Sequence, residues 1–286
     1  MNKVMVVTDS TSTIPTELLN GHPIQVLPLQ VIWDHKVYRD GLDIQPKEFY
    51  ERLAVDKVMP STSQTTPEEF KAVYERLLNE GYDILSIHIS SKLSGTMDSA
   101  IQAKREFPGA RIELVDSLST SMALGFQVLS AARMANIGAS LTECTSVAVE
   151  ATKHTGVYFA LNTLEFLHRG GRIGGAAAFM GTMLNLKPLL ELRDGRIEAV
   201  ERVRTFNKTV DRLLDLVEAK LKNEKGPIRL AVIHANEEHK AEKLLQRASH
   251  RFSKTVVTDA VITAVSPVLG THTGPGALGI AFMSGM

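Results

Sequence analysis

Along the first half of the chain, short continuous apolar runs alternate with longer stretches in which apolar residues recur every three or four positions. The runs at 4–7, 24–33, 84–89 and 112–115 predict strands or extended segments, and the stretches at 46–55, 67–79, 94–107 and 119–135 predict amphipathic helices. Strands separated by helices of that length predict βαβ units and a mainly parallel sheet. Pro67 followed by Glu68 and Glu69 is a helix start: proline suits the first helical position, and the acids face the positive end of the dipole. A further helix over 140–153 ends before Gly156, and a new strand is expected over 157–162, so a boundary near 155 divides a domain at 1–155 from one at 156–286. The second half mixes strands at 195–203, 228–234, 255–263 and 278–283 with helices at 208–222 and 237–251. The expectation is therefore an α/β chain of two domains, the first with a mainly parallel sheet and flanking helices, the second mixed. No repeat with a period of 20–50 residues interrupts this pattern.

Composition narrows the function. At 286 residues the chain can bury two cores without disulfides or metals. Its one cysteine, Cys144, cannot form an internal bridge, which points to a reducing, cytoplasmic compartment. With 32 Lys+Arg against 32 Asp+Glu there is no basic footprint for a phosphate backbone or an anionic membrane, and aromatics make up only 6%. The first apolar run is broken by Thr8 and Asp9, too early for the core of a signal peptide. The longest apolar stretch, 176–192, is interrupted by Asn185, Lys187, Pro188 and Glu191, so no spanning helix is expected.

The informative chemistry lies where the first strands end. Thr8-Asp9-Ser10, the segment from Ser90 to Thr96, and Asp116-Ser117 would share one edge of a parallel sheet, where ligands bind in the crevice beyond the strands. The same residues are also those that cap helices and close turns. Ser94-Gly95-Thr96 opens a helix, whose unpaired N–H groups and dipole suit a small anionic head group. The loop from Pro60 to Pro67 holds five hydroxyls in six residues, Ser61, Thr62, Ser63, Thr65 and Thr66, more than one cap requires. The glycine-rich stretch at 169–175 lacks the spacing of a nucleotide loop, and His272 precedes another glycine-rich turn. There is no G-x-S-x-G, no H-E-x-x-H and no histidine cluster, so neither a serine-hydrolase elbow nor a metal site is expected.

Taken in order, Thr8-Asp9-Ser10, Pro60 to Gln64 with Pro67, Ser90 to Thr96, Val115-Asp116-Ser117, Leu164 to Ile173, Leu184 to Pro188, Val203-Arg204-Thr205 and His272 to Gly279 resemble the DegV family of bacterial fatty-acid-binding proteins. That family includes the FakB subunits of fatty acid kinase, and the resemblance runs over about 3–284. It implies one long-chain fatty acid, such as palmitate or oleate, held between two α/β domains, with no cofactor and no metal. It implies that Thr62 and Ser94 hydrogen-bond the carboxylate, with Gly95, Ser63, Thr96 and His272 beside them. Arg172, and with it Arg202 and Arg204, would face a partner kinase or the phosphoryl group. The loop departs from a common family form at Gln64-Thr65-Thr66-Pro67 but keeps its hydroxyls. The aliphatic run from 173 to 192, with Phe179, Met180, Met183, Leu184, Leu186 and Leu189, is the expected tunnel wall. A C16 chain has about 14 methylenes, whose burial at ~0.8 kcal/mol each could contribute roughly 11 kcal/mol. Affinity would then come from the tail, and placement from hydroxyls that need no buried cation.

Two functions follow. The first is a carrier that is not itself an enzyme: it binds the acid and presents the carboxylate to a separate ATP-dependent kinase for acyl-phosphate formation. The second is an enzyme on a small anionic substrate, with Asp9 or Asp116 as base and Ser94 or Ser10 as nucleophile, although no histidine is tied to either serine in the sequence.

Overall fold

The computed structural model describes residues 2–180, 187–222, 224, 226–252 and 255–286. The first half runs β1 (Val4–Asp9), a 3-10 turn (Ser10–Ser12), α1 (Thr16–Leu19), β2 (Ile24–Leu27), β3 (Gln30–Trp33), β4 (Lys36–Arg39), α2 (Pro46–Val55), β5 (Ser61–Ser63), α3 (Pro67–Asn79), β6 (Asp83–His88), α4 (Thr96–Arg105), β7 (Ile112–Asp116), α5 (Ser121–Asn136) and α6 (Leu141–His154). The second half continues with β8 (Thr155–Ala160), α7 (Glu165–Arg169), a 3-10 turn (Gly174–Phe179), β9 (Lys187–Arg193), β10 (Arg196–Val203), α8 (Phe206–Leu221), β11 (Ile228–His234), α9 (Glu238–Arg251), β12 (Val257–Ala264), α10 (Pro267–Thr273) and β13 (Leu278–Ser284).

The expected α/β architecture is present. The strands β2-β1-β6-β7 form a parallel sheet, so the ends of β1, β6 and β7 do lie on one edge. Every strand of the six-stranded sheet, in the order β10-β9-β8-β13-β11-β12, comes after residue 154, and only β11 and β12 pair in parallel. The start read at Pro67 is reinforced by a reciprocal cap. Thr66 Oγ1 accepts the Glu69 N–H at 3.2 Å while Glu69 Oε2 accepts the Thr66 N–H at 2.7 Å, and Ser140 and Glu143 repeat the arrangement on α6.

Two expectations change. The extended segment at 24–33 is two strands in two sheets: β2 pairs with β1, whereas β3 joins β4 and β5 in a small antiparallel sheet. Pro28 lies at the break, where a residue without an N–H cannot continue a ladder. In the run from 173 to 192, the described residues do not form one apolar face. Its described parts are a 3-10 turn and a strand, and along β9 side chains alternate between faces. Leu190 joins the main core, while Leu189 packs on the other side with Tyr158, Leu213 and Leu214.

That main core is continuous through both halves, with Val6, Leu85 and Ile87 from one sheet and Val157, Leu190 and Ala281 from the other. Helix α5 joins them. It is buried from Ser121 through Leu129 and on to Ala132, and packs against β1 on one side and β8 and β13 on the other. A mostly apolar helix of this kind is stable only when enclosed, and its one buried side-chain amide, Gln127, donates to the Ser117 carbonyl and the Thr155 hydroxyl.

Candidate functional site

Between these layers lies a cavity of about 970 Å³ including its open mouth. Most of its wall is aliphatic or aromatic, with Leu29, Ile89, Phe159, Leu192, Ile233 and Val268 drawn from both halves of the chain. Its polar side chains include Thr62, Ser63, Gln64, Ser94, Arg172 and His272. This is the composition of a site for a largely apolar ligand with one polar end.

The polar residues are set by the elements that carry them. Thr62 sits on β5, whose pairing with β3 places Thr62 opposite Val31. His272 lies in the last turn of α10, a helix capped by the Ser266 side chain and started by Pro267. The two meet across the cavity, Thr62 Oγ1 to His272 Nε2 at 2.9 Å. Ser94 precedes α4, and its Oγ lies 2.9 Å from Thr96 Oγ1 while accepting the Thr96 N–H at 3.3 Å. Thr96 itself is fully buried and supports Ser94 from behind. Gly95 backs Gln64: a Cβ at position 95 would stand 3.0 Å from Gln64 Nε2. Gly170 is held more tightly still, since a Cβ there would fall 2.1 Å from His272 Nδ1.

Burial, and then the neighbouring Arg172 guanidinium, push the His272 imidazole down to about 4, so the ring is neutral near pH 7. Its Nδ1 is buried without a hydrogen-bond partner. Leaving a lone pair unmet costs less than stranding a proton, which assigns the proton to Nε2. Nε2–H then donates to Thr62 Oγ1, and the Thr62 hydroxyl proton is free to point at a ligand oxygen. Arg172 is exposed at the mouth, fixed by Nε to the Leu93 carbonyl at 3.0 Å and by a terminal nitrogen to the Gly170 carbonyl at 2.7 Å. The arrangement offers hydroxyl donors and one nearby cation to an anionic head group, without burying that cation.

Of the residues singled out in the sequence, Thr62, Ser63, Ser94, Arg172 and His272 line this cavity, and Gly95 and Thr96 stand next to it. Arg202 and Arg204 do not line it. Arg202 stacks 4.3 Å over the Phe179 ring and bonds the Ala178 carbonyl, and Arg204 is exposed beyond β10. Of the expected tunnel wall, Phe179, Met180 and Leu189 are not among the lining residues; Met180 is exposed, and Leu189 faces the other side of its sheet. Met183, Leu184 and Leu186 lie outside the described residues. The sequence reading missed Gln64, Thr120, Ser121 and Thr273 as lining residues. Gln64 directly follows β5, and its side chain meets the backbone at Gly95, a contact from a distant part of the chain that no local pattern shows.

The strand-end cluster behaves differently. Asp9 is fully buried: Oδ1 accepts the Thr11 N–H at 3.1 Å, and Oδ2 accepts the Ile89 N–H and His88 Nδ1–H, each at 3.0 Å. His88 Nε2 is 2.6 Å from Ser86 Oγ, which meets the Tyr74 hydroxyl at 2.8 Å. The order serine, histidine, aspartate is that of a nucleophilic triad, but all three residues are fully buried and none lines the cavity. Ser10 donates to Asp40 at 2.6 Å, and Asp116 accepts the N–H groups of Ser91 and Leu118. Neither Ser94 nor Ser10 therefore meets Asp9 or Asp116, and the enzyme reading loses the contact it needs. Among the described residues there is no group of three or more His, Cys, Asp or Glu that could hold a metal, and no helix long and apolar enough to cross a membrane.

With this geometry in hand, comparison with known proteins is direct. Residues 3–285 match the family model described as "Uncharacterised protein, DegV family". Protein DegV of Bacillus subtilis is 38% identical over 282 residues, covering 98% of each chain. The structure of a DegV family protein from Thermus thermophilus, described by its fatty acid binding, superposes with a TM-score of 0.92 at 38% identity and covers 99% of each chain. A stearic-acid-binding protein from Eubacterium ventriosum superposes with a TM-score of 0.89 at 27% identity, over 99% of this chain and 98% of that one. The matched family, the full-length coverage and the shared fold agree: this chain belongs to the DegV family.

Proposed function

We infer that the protein binds one long-chain fatty acid, with its tail in the apolar cavity and its carboxylate at Thr62, Ser94 and His272. The observation that carries this reading is the cavity itself: apolar walls drawn from both halves of the chain, with the hydroxyls of Thr62 and Ser94 in its lining and a neutral histidine whose proton is already committed. The fatty-acid-binding relatives of the same fold support it. Mass spectrometry of a solvent extract from denatured, purified protein tests it. Recovery of a stoichiometric C16 or C18 acid is expected; no acid, and no binding of added palmitate or oleate, would sink the reading.

In the fuller form of this function the protein is a cytoplasmic carrier that hands the carboxylate to a separate kinase. Arg172 supports that form, since it is exposed at the mouth beside the head-group residues and could offset charge on a transferring phosphoryl group. Its two bonds to backbone carbonyls hold the guanidinium in place before any partner arrives. The test is acyl-phosphate formation with a fatty acid kinase catalytic subunit, ATP and the loaded protein. Arg172→Ala should slow turnover while leaving acid binding within a few-fold. Normal turnover would remove Arg172 from that role.

A further inference from the structure

Behind the cavity wall lies a buried carboxylate that touches no ligand space. Asp40 is 2% exposed and does not line the cavity. Its Oδ2 accepts the Ser10 hydroxyl at 2.6 Å, and its Oδ1 accepts the Val268 N–H in the first turn of α10 at 3.2 Å. Its own N–H donates to the Leu29 carbonyl at 2.8 Å, and Ser10 Oγ in turn accepts the Leu29 N–H at 3.1 Å. One carboxylate thus ties together two pieces of the wall, Leu29 from the first half and Val268 from the second. Helix α10 also carries His272, one turn beyond Val268. On its other side the helix is packed against α2, where Tyr50 bonds the Val265 carbonyl and a Cβ on Gly270 would meet the Tyr50 hydroxyl oxygen at 2.6 Å. The ionisable groups facing Asp40 are Asp9 at the end of β1 and Tyr50 on α2, and among the described residues no salt bridge reaches it. A charge buried without a cation is expensive unless hydrogen bonds compensate it, and here those bonds all come from the elements it joins.

We propose that Asp40 is a positioning residue for the head-group site: its carboxylate clamps α10 to Ser10 and Leu29, and so fixes where His272 stands relative to Thr62. The inference rests on the fatty-acid reading above and goes further by assigning a residue, remote from the ligand, to recognition of its charged end. A clamp that only maintained the fold would affect every ligand of the cavity alike. A clamp that aims His272 affects ligands with a carboxylate and spares those with the same tail and no charge.

The test compares oleic acid with oleyl alcohol, each measured by displacement of a fluorescent fatty acid probe from the delipidated full-length protein. For Asp40→Asn, the acid should bind on the order of ten-fold more weakly, as for the loss of one charge-assisted bond, and the alcohol should bind within two-fold of wild type. His272→Gln should weaken acid binding by a similar factor, and for the acid the double variant should lose little more than either single one, since the two act through one contact. Equal losses for acid and alcohol, or additive losses in the double variant, would overturn the proposal. If Asp40→Asn does not fold, Asp40→Glu keeps the charge and moves it by one methylene, and the same selective loss is expected. A wild-type protein that binds neither ligand would instead refute the fatty-acid reading, an outcome distinct from any of these.

Discussion

Two polar clusters, one on Asp9 and His88 and one on Thr62 and His272, contain similar side chains and do opposite things. In the first, each polar group is answered: Asp9 accepts from backbone and side chain, and His88, Ser86 and Tyr74 complete a chain of hydrogen bonds among fully buried residues. In the second, the Thr62 proton has no acceptor, and Arg172 stands exposed at the mouth. A network that is complete within the protein holds the fold together, because nothing is left over for a ligand. A network left incomplete beside an apolar cavity has capacity to spend on one. The chemical identity of the residues, serine, histidine and a carboxylate, would have nominated the first cluster; the accounting of bonds nominates the second.

The comparison can be broken by exchanging the effects. Asp9→Ala should cost about 3–5 kcal/mol of stability, the loss typical when one partner of a buried pair is removed. Denaturant unfolding reads it, and at a temperature where the variant is folded its acid affinity should remain close to wild type. A variant of normal stability and poor affinity would move Asp9 into the ligand site. Thr62→Ala with Ser94→Ala should do the reverse, weakening acid binding by ~1.5–3 kcal/mol per bond lost with little change in unfolding midpoint. Calorimetric titration checks the affinity, and an unchanged value removes both from the site. Gly170→Ala sharpens the picture, since its methyl must displace the His272 ring. A strain of about 1–3 kcal/mol is expected, visible as weaker acid binding, and a structure with the ring unmoved would contradict it.

The smallest effect is in pH. Asp40, pushed up to about 6 from 3.8 by burial, holds its proton more tightly in the folded than in the unfolded chain. Its contribution to stability is therefore greatest below about 4 and is lost as pH rises through about 6. His272, pushed down to about 4 from 6.5, works the other way: its contribution is present above 6.5 and lost as pH falls toward 4. Thermal midpoints measured from pH 4 to 7 should rise less steeply with pH in His272→Gln than in wild type, and more steeply in Asp40→Asn. Opposite slopes would contradict the assigned protonation states.

Much of this was legible in the sequence where a local pattern and a tertiary role coincide. The parallel sheet followed from alternating runs and helical spacing, and Thr62, Ser94 and His272 followed from motifs that resemble a family. The rest depended on partners distant in the chain. Asp40 precedes Gly41 and reads as a turn residue, and nothing local shows that Val268 will donate to it. The run at 24–33 looked continuous because its apolar content is, while Pro28 divides it between two sheets. The 187–193 segment looked like tunnel wall because Leu189, Leu190 and Leu192 are all apolar, yet a strand sends them to different faces. Asp9 looked like a base because burial is invisible in a sequence.

Helix α5 carries one last consequence. With its first twelve residues enclosed and each sheet supplying part of the enclosure, neither half of the chain can complete its own interior. Folding should then be all-or-none across the whole molecule: a single heat-absorption peak in calorimetry, and no protease-resistant fragment surviving a cut between the halves.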